Sequence, residues 1–416
     1  MASKGYMKKK SIRDVIVKGN DFIVRVDFNV PLDENGNLTD DTRITEAMPT
    51  IRYLLDEGAN KIVLCSHLGR PKGERKEKYS LKHIIKRLEE LVGVPVLFAN
   101  NCIGSEAKRI VESAQPGEIV LLENLRFHED EEKNDKEFAK ILASYADVYV
   151  NDAFGTAHRA HASTVGITEY LPSVAGLLLE KELCILGEAL ESPKKPFVVI
   201  LGGAKVTDKI GVIKHLITKA DKVLIGGAMA FAFDVAEGYE IGKSLFDEVG
   251  LEYAKGALKL AKEKNVQLML PVDYVVADEF KNGANCIKVV NRGEIDADFM
   301  GLDIGPKTAK MFADEIINAN TVIWNGPMGA FEMENFSHGT LEVAKALAKC
   351  KGTTIVGGGD SAAAIDHLGY TDCVTHVSTG GGASLDLLEG KMLVAVEALE
   401  DKEPFKQYSL FTEDGN

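Results

Sequence analysis

The six cysteines of this chain (Cys65, Cys102, Cys184, Cys286, Cys350 and Cys373) include no C-x-x-C pair. Scattered thiols, several of them inside apolar runs, fit reduced side chains packed as small hydrophobes, and no disulfide is expected. Long hydrophobic runs are also missing. None approaches the length that spans a bilayer, and the Lys-rich residues 1–10 lack the apolar stretch of a signal peptide, so a cytoplasmic protein is expected. Basic charge is scarce: 49 Lys and Arg against 63 Asp and Glu leave a formal charge of -14. General nucleic-acid binding needs a basic face to release counterions, so that class is disfavoured. A Walker A loop is absent too. Residues 238–244 come nearest, but the spacing from Gly238 to Gly242-Lys243-Ser244 is one residue short.

What is present is an ordinary globular composition, 45% apolar and 27% charged, over 416 residues, enough for two or three domains and too apolar for disorder. Short apolar runs alternate with helical-period segments almost from end to end, the pattern of parallel sheets covered by helices. Strands are expected at 22–27, 61–66, 94–99, 119–123 and 148–152, with helices at 44–57, stopped by Gly58, and 81–92, stopped by Gly93. A long helical stretch at 174–191 has no strand partner in this scheme and reads as a connector. The strand pattern then restarts at 197–201, 222–225, 266–270, 321–324, 353–356 and 373–377. The expected fold is therefore α/β: two Rossmann-like lobes, each a parallel sheet flanked by helices, joined by a connecting helix and hinge.

In such sheets ligands collect at the carboxyl ends of the strands. In the first half those ends and nearby loops supply Asp27, Asn29, Arg43, His67, Arg70, Arg126, His128, His158, Arg159 and His161. Repeated guanidinium forks suit carboxylate and phosphate, although any single arginine could simply solvate a loop. His158 and His161 are spaced like ligands on one turn, but Arg159 between them would repel a cation and no metal is expected there. The acidic run at 129–132 reads as a solvated loop.

In the second half the strand ends are bare backbone: Gly202-Gly203-Ala204-Lys205 with Lys209, Gly226-Gly227, Asn325-Gly326-Pro327 with Glu332, Gly357-Gly358-Gly359-Asp360-Ser361, and Gly380-Gly381-Gly382. Glycines let backbone amides approach an anion, and a helix start carries partial positive charge, so a nucleotide polyphosphate fits. Lys205 and Lys209, one helical turn apart, can face one ligand. Asp360 suits Mg²⁺ bridging phosphates, or is only an N-cap in a plain strand-to-helix turn. A dinucleotide site would want an acidic residue after strand 373–377, where Ser378, Thr379 and Gly380 stand instead.

Taken together, RVDFNVP at 25–31, SHLGRP at 66–71, ENLRFH at 123–128, NDAFGTAHRAHAS at 151–163, LGGAKVTDK at 201–209, WNGPMGAFE at 324–332 and GGGDS at 357–361 resemble the phosphoglycerate kinase family, bacterial type, in order over residues 12–398. The resemblance implies Mg²⁺-dependent, reversible phosphoryl transfer from 1,3-bisphosphoglycerate to ADP by a monomer that binds neither nucleic acid nor membrane. It implies that Asp27, Phe28, Asn29, Arg43, His67, Leu68, Gly69, Arg70, Arg126 and Arg159 hold the phosphoglycerate. Lys205, Lys209, Gly227, Gly301, Asn325, Glu332, Gly358, Gly359, Asp360 and Ser361 would hold the nucleotide, with Asp360 on the metal and Glu332 on the ribose. Arg43, Lys209 and Gly358 would act on the moving phosphoryl group. The implied domains are 1–173 for phosphoglycerate, 174–195 as hinge, 196–398 for nucleotide, and a tail, 399–416, returning to the first. Residues 1–10 and 403–416 match nothing in the family. The rival readings are a kinase for another small acid and a binding protein that has lost turnover.

Overall fold

The computed structural model describes residues 8–402; the unmatched residues 1–7 and 403–416, most of the expected tail, lie outside that range. Six strands form the first sheet: β1 (Asp21–Arg25), β2 (Lys61–Cys65), β3 (Val96–Ala99), β4 (Glu118–Leu122), β5 (Val148–Asn151) and β6 (Ser173–Ala175). All run parallel, in the order β3-β4-β2-β1-β5-β6. Downstream follow β7 (Phe197–Leu201), β8 (Lys222–Ile225), β9 (Gln267–Met269), β10 (Asp273–Ala277), β11 (Ile287–Asn291), β12 (Met300–Ile304), β13 (Thr321–Asn325), β14 (Thr353–Val356) and β15 (His376–Val377). The second parallel sheet is ordered β15-β14-β13-β7-β8-β9, and β11-β10-β12 make a small antiparallel sheet.

Two covered faces explain the apolar strands. Every residue of β7 is buried. Val199, Leu201, Ile323 and Ile355 pack into the core on one face, and Val198, Ile200, Val322, Trp324 and Val356 into the core on the other. The chain leaves β1 in one direction and reaches β5 in the other, and does the same at β7 and β13. Each sheet therefore has a crevice at the carboxyl ends of its central pair, where the first and last halves of the lobe diverge.

Several elements differ from the sequence reading. The connector does not begin at residue 174: Val174 belongs to β6, and the helix runs Leu177–Glu191. Gly176 breaks the run, and parallel pairing of residues 173–175 with β5 outweighs helical periodicity. The three strands β10 to β12 were not anticipated, because β11 alternates between exposed and half-buried and lacks a strong apolar signal. Arg43 stands in the first turn of helix Thr42–Asp56 rather than on a loop. The acidic run is the short helix Glu129–Glu132, and it is not wholly solvated: Glu131 is fully buried. All six cysteines are free, yet only Cys65 and Cys102 are buried.

The lobes are tied together by polar pairs. Thr379 Oγ1 donates to Glu46 Oε2 at 2.8 Å, and His376 Nε2 lies 2.8 Å from Glu182 Oε2 on helix Leu177–Glu191, both buried. The chain end meets the first sheet: Lys10 N donates to Glu400 O (2.8 Å) and Glu400 N to Ser173 O (2.9 Å). Among the described residues no helix is long and apolar enough to cross a membrane.

Candidate active site

The carboxyl ends of the first sheet enclose a cavity of about 260 Å³ lined by Asp27, Asn29, Arg43, His67, Gly69, Arg70, Arg126 and Arg159. Most of its side chains are held. Arg43 Nη1 donates to both oxygens of Asp27, each at 3.0 Å. Asn29 N donates to Asp27 Oδ1 (3.1 Å), and Asn29 Oδ1 accepts from Gly69 N (2.8 Å). Arg126, nearly buried, donates from Nη1 to Gly69 O at 3.1 Å. Its Nε is buried without a hydrogen bond, the nearest acid being Glu132 Oε1 at 3.9 Å. His158, on the cavity lining, likewise has a buried Nδ1 with no partner among the described residues, and so does His161, which does not line the cavity. Buried polar atoms are nearly always satisfied, so this is a site that can take hydrogen bonds from or to a ligand.

The field in the cavity is strongly positive. His67 is held well below the usual imidazole range, first by burial and then by Arg25, Arg126, Arg43 and Arg159. Burial and the same arginines, apart from Arg43, push His161 down to about 4. Arg126 itself is lowered to about 10 by burial and then by Arg25. With the histidines uncharged, the positive charge of the clustered arginines is what an anion can balance.

Two expected contacts do not reach this cavity. Phe28 and Leu68 are buried in the core, and their amides donate to Ser66 Oγ (2.9 Å) and Asn124 Oδ1 (3.2 Å). They shape the loops rather than line the site. The triplet 380–382, expected beside a polyphosphate, lines the arginine cavity instead. A Cβ on Gly380 would sit 2.2 Å from Phe154 Cε1, and one on Gly382 would sit 2.9 Å from His158 Nε2. Their bareness lets the second lobe approach the first.

The second crevice opens into a larger cavity, about 570 Å³, lined by Gly227, Gly301, Glu332 and Asp360 among the expected residues. Most of its walls were not foreseen: Leu245, Phe280, Met300 and Leu302 carry no motif, and Phe331, inside WNGPMGAFE, was not singled out. Phe280 is 64% exposed and Leu245 53%, and large apolar side chains left bare at a cavity mouth suit a flat, apolar-faced ligand such as a nucleobase. Lys243, from the imperfect Walker-like stretch, is there too.

Beside this cavity, Gly358 takes φ +96°, and helix Gly359–His367 begins. Its first helical bond runs from Ala362 N to Gly358 O (3.0 Å), so the amides of Gly359, Asp360 and Ser361 precede the ladder. Asp360 is an exposed first-turn residue, and Gly358 is the N-cap. The Ser361 hydroxyl is taken by Gly326 N. Lys205 and Lys209 do not share an α-helical turn: Lys205 is extended and exposed, ahead of the 3-10 turn Val206–Lys209. The Lys209 ammonium bonds Asn325 Oδ1, whose Nδ2 donates to Gly357 O at 2.7 Å. Burial lowers the Lys209 pKa, while Asp360, Asp208 and Glu389 oppose that shift. Lys205, Lys209, Asn325, Gly358, Gly359 and Ser361 thus lie outside the cavity lining.

Some glycines here serve packing. Gly202 N donates to Asn325 O (3.0 Å) and Gly203 N to Pro327 O (3.1 Å), so the loops after β7 and β13 touch backbone to backbone. A Cβ on Gly326, at φ +103°, would lie 2.1 Å from Gly202 O and 2.4 Å from its carbonyl carbon. Neither can move aside. Gly326→Ala is expected to cost ~3 kcal/mol from strain and overlap, read as a lower urea midpoint; an unchanged midpoint would show the loops to be separable.

Nothing among the described residues forms a cluster of three or more His, Cys, Asp or Glu able to cage a metal. A lone exposed carboxylate at a helix start, facing a nucleotide-sized cavity, does fit Mg²⁺, which keeps waters and takes most other ligands from phosphates.

The family model described as Phosphoglycerate kinase matches residues 12–391. The chain is 53% identical over 397 residues to a phosphoglycerate kinase of Clostridium tetani, covering 95% of this chain and 98% of that one. It is 56% identical over 397 residues to one of Clostridium perfringens, covering 95% and 99%. The solved structure of phosphoglycerate kinase from Coxiella burnetii superposes with a TM-score of 0.87 at 40% identity, covering 94% of this chain and 98% of that one. The Pyrococcus horikoshii enzyme gives 0.80 at 34%, with the same coverage.

Proposed function

The chain belongs to the phosphoglycerate kinase family, and on that premise we propose that its two cavities divide the substrates of one reaction between the lobes. The enzyme is a glycolytic kinase that transfers a phosphoryl group reversibly from 1,3-bisphosphoglycerate to ADP, giving 3-phosphoglycerate and ATP. Phosphoglycerate goes to the arginine cavity and the nucleotide to the apolar one. What carries this reading is the contrast between four arginines around one cavity, Arg43, Arg70, Arg126 and Arg159, and bare aromatic and aliphatic walls around the other.

In the ATP-consuming direction the nucleophile is a carboxylate, and a carboxyl of pKa about 4 is ionised at neutral pH, so no general base is needed. The work left to the protein is positioning and charge neutralisation. Arg43 from the first lobe and Lys209 with the amides after Gly358 from the second would meet the equatorial oxygens of the moving group. Glu332 would accept from the ribose hydroxyls. Asp360 would hold Mg²⁺, which when bound neutralises phosphate charge. Because the partners reside on different lobes, transfer requires closure about helix Leu177–Glu191, expelling water that would hydrolyse the acyl phosphate.

We divide the chain accordingly: 1–173 for phosphoglycerate, 174–195 as hinge with β6 at its start, 196–398 for nucleotide, and 399–416 returning to the first domain, supported as far as residue 402 by the Glu400 contacts. A single copy carries both cavities, and we read it as a cytoplasmic monomer without nucleic-acid partners, in keeping with its charge of -14.

The test is a pair of separate titrations. 3-Phosphoglycerate alone should shift the resonances of His67, His158 and His161, and Mg-ADP alone should leave them in place, with the radius of gyration falling only when both are bound. The reverse assignment, or no compaction, would overturn the division of labour. Asp360→Asn should weaken Mg-ADP roughly tenfold while leaving ADP in the presence of chelator almost unchanged, in line with the usual cost of disturbing a metal site. Equal weakening of both would remove Asp360 as a ligand.

A further inference from the structure

Two buried charged groups take no part in the steps above, and they are linked. Arg25, at the end of β1, is fully buried, as is Glu131. Arg25 Nε donates to Ser163 Oγ at 2.8 Å, Nη1 donates to Val26 O at 2.5 Å, and Nη2 lies 3.2 Å from His67 Nδ1. Ser163 in turn donates to Glu131, from Oγ to Oε2 at 2.6 Å and from its amide to Oε1 at 2.7 Å.

Every proton in this chain has a fixed direction. A guanidinium has donors and no acceptor, and it does not deprotonate in a protein. Ser163 Oγ must therefore accept from Arg25, which leaves its single proton for the Glu131 carboxylate. His67 Nδ1 must accept as well, so it carries no hydrogen. A neutral imidazole with a bare Nδ1 has its hydrogen on Nε2.

We propose that Arg25, braced through Ser163 by Glu131, is a positioning residue that holds His67 as the neutral Nε2–H tautomer, leaving one ring donor for the ligand of the cavity that His67 lines. A second proton would have to sit on Nδ1 against an Arg25 N–H, with Arg43, Arg126 and Arg159 facing the ring from three other segments. His67 thus donates one hydrogen bond to an anion and stays uncharged between about pH 5 and 8, where free histidine titrates. Its grip on the ligand does not change with pH. The functional consequence rests on the reading that this cavity takes phosphoglycerate; the tautomer does not.

The test is a multiple-bond proton–nitrogen correlation spectrum of the ligand-free enzyme over that pH range, with His67→Gln to assign the ring. The expected result is an unprotonated Nδ1 and a protonated Nε2 throughout. An imidazolium or an Nδ1–H tautomer overturns the proposal. Replacing Arg25 by Met together with Glu131→Gln removes both charges and leaves neither buried alone. In that variant the ring should exchange tautomers and titrate. The ratio of variant to wild-type KM for 3-phosphoglycerate should then rise about fivefold with pH as the imidazolium is lost, with kcat changing little. A variant with unchanged tautomer and a flat ratio refutes the role of Arg25. If the double variant does not fold, Ser163→Ala decides, since it frees Arg25 Nε without adding bulk: mixed tautomers support the brace, and a wild-type spectrum overturns it. Failure of the cavity assignment looks different, namely the expected tautomer with resonances that 3-phosphoglycerate does not move.

Discussion

Lys209→Ala will lower kcat by about 10²–10³-fold while changing Mg-ADP affinity less than about threefold. The asymmetry follows from where the ammonium sits. It is half-buried, it bonds the Asn325 side chain, and it lies within the field of Asp360. A charge already satisfied by the resting protein adds little to ground-state binding, yet it can turn toward negative charge that develops as the phosphoryl group moves. Burial strengthens that interaction by excluding water. The lowered Lys209 pKa adds a second signature. The charged form is present at low pH and is lost as pH rises through that pKa, so kcat should fall on the alkaline side before ordinary lysines titrate, and Lys209→Arg should remove the fall. Steady-state kcat against pH and direct nucleotide titration check both. A large loss of affinity with turnover intact would make Lys209 a simple anchor.

Arg43→Ala is expected to be at least as damaging, about 10³-fold in kcat, the scale at which a guanidinium aimed at a transferring phosphoryl group acts. Arg43 is held by Nη1 alone, which donates to both oxygens of Asp27 from the first turn of helix Thr42–Asp56. That contact fixes the guanidinium while leaving other donors of the fork for a ligand. Arg43→Lys should recover only a small part, because one ammonium cannot grip Asp27 and reach the phosphoryl group with a planar fork. Asp27→Asn should show an intermediate loss, since it loosens Arg43 without removing it. Turnover and phosphoglycerate affinity measured separately decide the matter. A rise in KM at constant kcat would assign Arg43 to binding alone.

The residues that were legible in advance are those whose signal is local. Apolar runs such as Phe197–Leu201 declare a strand covered on both faces, and Gly58 and Gly93, at φ +79° each, mark helix ends through their own backbone. Strand-end residues such as Asp27, Arg126 and Asp360 could be picked out as cavity lining because parallel sheets open their crevices there. What could not be read depended on neighbours far away in the chain. Val174 looks helical until β5 is beside it. Glu131 looks solvated until Ser163 folds over it. Leu245 and Phe280 are ordinary apolar residues until the fold leaves them bare at the mouth of a cavity.

By itself the order of amino acids established two α/β lobes, the arginine-rich strand ends of one and the glycine-rich strand ends of the other, because helical and strand periods repeat over a few residues and need no partner to be recognised. Only the tertiary structure decided that the 380–382 glycines serve the arginine cavity, that Lys209 rests on Asn325, and that Arg25 reaches His67. Those facts are distances between strand ends separated by tens to hundreds of residues, and sheet order, not local pattern, sets them.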